Sequence, residues 1–163
     1  MKVTKRIDHF PGSPYYKEGK PDKEWIRVIG FNKSQRSTFS YWFAHWCAFQ
    51  LTALGLGCWK WRFLFHDWEK PWLRLWWRGN YRKVQIWHRL HRKHHLEYGF
   101  IHGWDKLDLD ALVVDWHCCG LSKTEALLDA RETLEYEVKT PEWKSYEDVL
   151  RKLIEPKLDK YGL

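Results

Sequence analysis

Asn-Tyr-Arg-Lys-Val-Gln-Ile-Trp-His-Arg-Leu-His-Arg-Lys-His-His-Leu-Glu-Tyr, residues 80–98, is the stretch from which the fold class is read. At about 100° per residue, Val84, Trp87, His91, His94 and Tyr98 fall within about 80° of one another. His88 and His95 border that stripe, while Arg78, Arg82, Arg89, Arg92 and Lys93 point the opposite way. Gly79-Asn80 breaks the chain before this stretch and Gly99 ends it. The spacing predicts one helix over 80–98 that turns histidines towards a core and a basic strip towards solvent or a partner.

The neighbouring sequence extends the helical pattern. Ser37 or Thr38 can cap a helix running to about residue 54, where Gly55 and Gly57 loosen it. A second helix is expected over 58–69, stopped by Pro71. Residues 72–77 are too uniformly Trp- and Leu-rich to assign. A fourth helix is expected over 107–119, ending at Gly120. Ser122 with Glu125 reads as a capping box for a fifth over 123–139, and Thr140-Pro141 as the start of a sixth. Residues 1–35 read as an irregular arm rich in Pro, Gly and Lys, with 25–29 as the one strand candidate. The expectation is an all-α chain: an N-terminal arm over 1–35 and a single compact domain of about six helices over 36–163, with no repeat and no second domain.

Composition narrows the class. A length of 163 residues with 44% apolar and 18% aromatic side chains suits one domain with a real core and excludes a disordered chain. Thirteen tryptophans supply large buried area, but each brings an N–H that needs an acceptor, and Trp favours interfaces. The net charge of +7 is uneven: residues 60–95 hold ten basic and two acidic side chains, residues 104–163 nine and fourteen. A basic middle fits an anionic partner such as a nucleotide or nucleic acid, or a solvated face balanced by the acidic C-terminal part. Cys47, Cys58, Cys118 and Cys119 form no disulfide framework and no secretory signal is evident, so a reducing, cytoplasmic setting is expected. Residues 37–59 lack Lys, Arg, Asp and Glu and are long enough to span a bilayer. His45 and Gln50 at mid-segment and basic residues on both flanks favour a buried core helix instead.

The nine histidines matter through their placement. His45 lies in the first helix; His66 and Asp67 are adjacent, with Lys70 three residues on; His88, His91, His94 and His95 crowd the third helix; Asp115 follows the apolar run Ala111-Leu112-Val113-Val114. Imidazole nitrogens and carboxylate oxygens together suit Zn, Fe, Mn, Co or Ni, and ligands spread over several helices are how bundle cores build metal sites. A buried Asp115 needs a partner, which a metal or an arginine would provide. Each residue also has a plainer role: His9, His102 and His117 read as ordinary histidines, and Lys70 as a surface lysine beside a helix end.

Taken in order, His45, His66-Asp67, the downstream histidines and Asp115 resemble the H…HD…H…D arrangement of the HD-domain metal-dependent phosphohydrolases. His66-Asp67-Trp68-Glu69-Lys70 is similar to their HD-x-x-K variant, and His94-His95 to the paired histidines of subgroups with two or more metals. More closely, the run resembles an uncharacterised family of small bacterial and phage proteins, which shares HD-x-x-K, a Trp-His pair ahead of HH-x-x-Y (Trp87-His88 and His94 to Tyr98) and an Asp-Trp pair (Asp115-Trp116). The resemblance covers about residues 41–120.

It implies a helical HD-type fold and hydrolysis of a phosphoester by a metal-bound hydroxide, with a nucleotide or other phosphorylated small molecule as substrate. His45, His66, Asp67 and Asp115 would hold the first divalent metal. His88, His94 and His95, with His91, would hold a second or contact substrate, and Lys70 with Arg74 would compensate phosphate charge. Two other readings stand beside it. A di-iron centre using oxygen fits the same mixed shell. A structural metal with the arginine strip and tryptophans binding nucleic acid would be no enzyme at all. The Trp-rich stretch 59–77 is a lid, a homodimer interface or core.

Overall fold

The first helix, α1 (Phe39–Gly55), has seventeen residues and no charged side chain, yet it is amphipathic in a particular sense. Phe49 and Ala53 are fully buried, and His45, Gln50 and Thr52 are buried with them. Phe39, Phe43, Leu51 and Leu54 lie on the opposite, solvent-facing side. The computed structural model describes residues 16–17, 20–21, 39–122 and 129–163, with side chains over 39–119 and 129–163. No helix among these residues is long and apolar enough to cross a membrane.

The described chain is helical. After α1 come a 3-10 turn (Trp61–Phe65), α2 (Glu69–Trp76), α3 (Tyr81–His91), α4 (Leu96–His102), α5 (Lys106–Ser122), α6 (Ala130–Glu137), a second 3-10 turn (Lys144–Tyr146) and α7 (Glu147–Tyr161). The one strand pairing among the described residues is β1 (Tyr16–Lys17) against β2 (Lys20–Pro21), antiparallel. The strand candidate at 25–29 and the rest of the arm lie outside the described residues.

α5 is the central element. Asp108 and Asp110 through Trp116 are buried without a break, as are Cys118 and Cys119, so this helix is covered on every side. One side packs Ala111, Val114 and Cys118 against Ala48, Phe49 and Ala53 of α1 and against Phe63. The other packs Leu112, Val113 and Trp116 against Leu134 and Val138 and against Leu150, Ile154 and Leu158 of α7. The carboxylates at its start are held from outside: Asp108 pairs with Arg62, and Asp110 accepts from Lys157 Nζ (2.6 Å) and Tyr161 Oη (2.7 Å).

Four expectations are corrected. Residues 80–98 are two helices, because Arg92 adopts extended backbone (φ −108°, ψ 126°) and a turn and bend over 93–95 separate α3 from α4. Pro71 does not stop a helix but sits in the first turn of α2, where its missing N–H has no partner to lose, so 69–76 is helical and 58–69 is largely a 3-10 turn and a bend. The described part of the fifth helix begins at Ala130, capped by the Asp129 carboxylate on Glu132 N (2.8 Å); the expected start at 123 lies outside the described residues. Thr140-Pro141 forms a turn, with the Thr140 hydroxyl donating to Glu137 O, and α7 starts only at Glu147.

Candidate metal centre

Three side chains spaced one turn apart on α1 fix the segment that carries His66-Asp67. Trp42 Nε1 donates to Asp67 O (2.8 Å), Trp46 Nε1 to Leu64 O (2.9 Å) and Gln50 Nε2 to Phe63 O (2.7 Å). The indole N–H groups thereby meet backbone carbonyls that no regular ladder would use. Asp67 itself is left-handed (φ 60°), a conformation that aspartate tolerates better than most residues. Its carbonyl also accepts Lys70 N, so the bend leads directly into α2.

The side chains then converge from four places. His45 (α1) has Nε2 3.0 Å from Asp115 Oδ1 (α5) and 3.5 Å from Asp67 Oδ2. His66 Nε2 lies 3.5 Å from Asp115 Oδ1, 3.6 Å from Asp67 Oδ2 and 3.4 Å from His45 Nε2. On the other side of the same carboxylate, Asp67 Oδ1 lies 3.1 Å from His88 Nε2 (α3) and 3.5 Å from His94 Nε2. The His95 ring centroid is 4.5 Å from those of both His88 and His94. Asp67 therefore presents one oxygen to the set His45, His66 and Asp115, and the other to the set His88, His94 and His95.

Four of these atoms are orphans. Asp67 Oδ1 and the Nε2 atoms of His88, His94 and His95 are buried and complete no hydrogen bond. Buried polar atoms are otherwise nearly always paired, so four of them gathered in one place call for a further group. Neighbours aim them: Glu69 takes His88 Nδ1 and is itself held by Arg92 Nη2 (2.7 Å), and the His66 ring stacks on Phe49 with centroids 3.6 Å apart. Such an outer carboxylate fixes the imidazole tautomer with Nε2 facing inward.

Electrostatics point the same way. Burial, the largest effect, lowers the pKa of His66, His94 and His95, which keeps these rings neutral and their lone pairs available. For Asp67 burial works upwards, but His66, Lys70 and His88 outweigh it and hold the carboxyl well below the usual range. Asp115 is likewise depressed against burial by its contacts with His45 and His66. Lys70 is an ammonium tied to Asp67 Oδ2, with its pKa raised against burial by the Asp67 charge. Two buried carboxylates beside several imidazoles and one ammonium form an environment in which added positive charge is favoured.

The sequence-derived candidates divide cleanly. His45, His66, Asp67, Lys70, His88, His94, His95 and Asp115 come together. His91 does not: it is exposed, stacked on Trp87, with Nδ1 2.7 Å from Trp87 O. The straight-helix wheel put it inside, but the break at Arg92 gives the inward direction to His88 and lets His94 and His95 fold back beneath it. Arg74 lines the cavity above the site without touching the ligand cluster. Arg89 pairs with Glu97 and Arg92 with Glu69, so the expected basic strip is partly consumed within the fold. Glu69 was missed by sequence reasoning; its only signal was a carboxylate inside the HD-x-x-K run. Cys118 was missed too. Its thiol donates to Asp115 O (3.3 Å) and lies 3.9 Å from His45 Nδ1, one turn beyond Asp115.

His45, Asp67 and Lys70 line a cavity of about 470 Å³ between α1, α2 and the start of α3, together with Phe39, Trp42 and Arg74 among others. Buried groups of His, Asp, Glu and Cys, each with ligand atoms within 4.8 Å of one another, could hold a metal ion here. Neutral imidazoles, ionised carboxylates and orphaned Nε2 atoms make a donor set that fits a divalent transition metal. No family model, no curated protein and no solved structure matches the chain.

Proposed function

We propose that this chain is a metal-dependent phosphohydrolase of the HD type. The observation that carries the reading is the two-sided Asp67, with one set of nitrogen and oxygen donors on each carboxylate oxygen, orphaned polar atoms among them, and an accessible cavity that Asp67 and His45 line. His45, His66, Asp67 and Asp115 would hold one ion; Asp67, His88, His94 and His95 would hold a second. A bound divalent ion lowers the pKa of water towards about 7 and neutralises charge on phosphoryl oxygens.

The chain's own residues do the rest. Glu69 and Phe49 orient His88 and His66, and the left-handed bend at Asp67 keeps its carboxylate turned into the cluster. Lys70 faces both the carboxylate and the cavity; with Arg74 it supplies positive charge where a phosphate would lie. Water adds to phosphorus, the ester P–O bond breaks, and the alcohol leaves with a proton. Arg89 and Arg92 of the predicted basic strip are paired internally, while Arg78, Arg82 and Lys93 stay exposed, so the strip offers a nucleic acid less than the sequence alone suggests. Oxygen chemistry at a pair of irons draws on the same Asp67 arrangement, and iron content with oxygen-dependent turnover would mark it.

The test is release of nitrophenol from bis(4-nitrophenyl) phosphate by tag-free protein reconstituted with Mn, Fe, Co, Ni or Zn. Turnover that a chelator removes, that Asp67→Ala abolishes, and whose KM rises in Lys70→Ala supports the proposal. Metal-loaded protein inert towards phosphomonoesters and phosphodiesters alike would refute it.

A further inference from the structure

α2 is unusual in having no buried residue at all, although five of its eight side chains are Pro, Trp or Leu. Trp72, Leu75 and Trp76 are 67%, 72% and 81% exposed. They do not stand alone. Trp68 continues the line one turn earlier and meets Trp42 edge-on (5.7 Å), Trp42 in turn contacts Phe39 (5.1 Å), and Phe39 begins the exposed apolar stripe of α1. Trp46 joins that stripe to the 3-10 turn through Leu64 O, where Trp61 and Phe65 are also exposed. The indoles of Trp61, Trp68, Trp72 and Trp76 together leave on the order of 600 Å² of ring surface in water, at the upper end for a typical monomer.

Charge within the stretch that builds this face is mainly positive, with Asp105 drawn to Arg62 from outside it. Between residues 39 and 96 the only acidic side chains are Asp67 and Glu69, both engaged in the metal-ligand cluster, whereas Lys60, Arg78, Arg82 and Lys83 are exposed. Exposed indoles and leucines interleaved with cations, in a stretch that contributes no exposed acid of its own, are complementary to an anionic lipid surface: the rings suit the headgroup boundary and the cations its charge. A second observation joins this face to the site. The cavity that His45, Asp67 and Lys70 share is walled mainly by apolar atoms, and its lining includes Phe39 and Leu75 of the exposed face. Lys70 and Arg74 line it beside Asp67, and Phe39, Trp42, Leu75 and Val84 supply apolar lining. This is a shape for a ligand with a phosphate head and a hydrocarbon tail; a nucleoside would leave its base and sugar hydrogen-bonding groups without partners along such a wall.

We infer that the protein docks by the α1–α2 face on an anionic membrane surface and that the cavity takes a phosphate ester of an amphipathic lipid from it. The substrate class rests on the hydrolase reading above; the docking face does not. Lying on the bilayer differs from spanning it, and no described helix need cross.

The test uses the full chain and needs no turnover. Flotation with vesicles of phosphatidylcholine, or of phosphatidylcholine with an equal part of phosphatidylglycerol, reads docking; tryptophan emission titrated with dodecyl phosphate or adenosine monophosphate reads the cavity. The expected results are recovery with the anionic vesicles only, a blue shift on binding, and at least tenfold tighter binding of dodecyl phosphate than of the nucleotide. Trp72→Ser/Trp76→Ser, folded by circular dichroism, should lose vesicle binding tenfold or more and keep dodecyl phosphate binding. Absence from both vesicle fractions overturns the inference, as does a concentration-dependent dimer that this double variant abolishes, which would assign the face to a second copy. Vesicle and dodecyl phosphate binding without hydrolysis would sink the hydrolase reading and leave the binding inference standing. Turnover of soluble esters without either kind of binding would do the reverse.

Discussion

Replacing Glu69 is the most informative perturbation of the site, because its carboxylate holds His88 and, with Asp67 and His88, lies in one of the groups that could hold an ion. Its Oε1 meets His88 Nδ1, its Oε2 forms an ion pair with Arg92 Nη2 at 2.7 Å, and only 11% of its side chain is exposed. Burial alone would raise its pKa; the His88 hydrogen bond and the neighbouring charges push it down to about 2 instead, so it is ionised under any working condition. His88 is fully buried, and only the Glu69 contact sets which of its nitrogens faces Asp67. Outer carboxylates of this kind are worth about 10–100-fold in metal affinity, or about 1.4–2.7 kcal/mol. Glu69→Gln keeps a neutral hydrogen bond to His88, so about a tenfold loss is expected. Glu69→Ala removes the bond and frees the ring to rotate, which moves the expectation to about a hundredfold. The assay is competitive titration of the metal against a chelating dye, with circular dichroism to confirm folding. Unchanged affinity in folded Glu69→Ala would refute the argument and remove His88 from the ligand set.

Three further outcomes follow from the packing. Trp42→Phe deletes the donor to the Asp67 carbonyl and should cost about 1–2 kcal/mol in denaturant unfolding, with weakened metal binding, because the bend at φ 60° loses its clamp. Gly99→Ala should lower the melting temperature by several degrees: a Cβ there would lie 1.6 Å from Trp104 Cε2, and displacing that indole costs about 1–3 kcal/mol, more than the helix propensity gained. Leu112→Ala, in the fully buried middle of α5, should cost about 2–5 kcal/mol by calorimetry or denaturant melts while metal stoichiometry in the folded fraction stays the same.

The helical class was legible because it depends on local periodicity and on glycine stops, and the uninterrupted burial of α5 follows from a run, Ala111 to Val114, that is apolar on every face. That these His and Asp side chains would gather in one place was largely legible as well, from their order on successive helical segments. The geometry of the group was not. Nothing local in His91-Arg92-Lys93-His94 signals a break, and the extended backbone at Arg92 is stabilised by tertiary contacts: Arg92 with Glu69, and His94 against the Asp67 carboxylate. An unbroken wheel therefore placed His91 inside and His88 at the edge, the reverse of what the fold does. Pro71 misled for a related reason: its effect depends on whether it falls in the first turn, and that is set by Trp42 holding Asp67, twenty-five residues away. Several tryptophans, which composition alone could not assign, divide into N–H donors that clamp carbonyls, Trp42 and Trp46, and rings left facing outwards, Trp61, Trp72 and Trp76.

The measurement that bears most directly on the centre is elemental analysis of tag-free protein, wild type beside Asp67→Ala/Asp115→Ala, before and after reconstitution. One or two equivalents of a divalent transition metal per chain, lost in the double variant while its helical signal is kept, is the predicted result. A folded wild-type chain that holds no such metal after exposure to Mn, Fe, Co, Ni and Zn would contradict it.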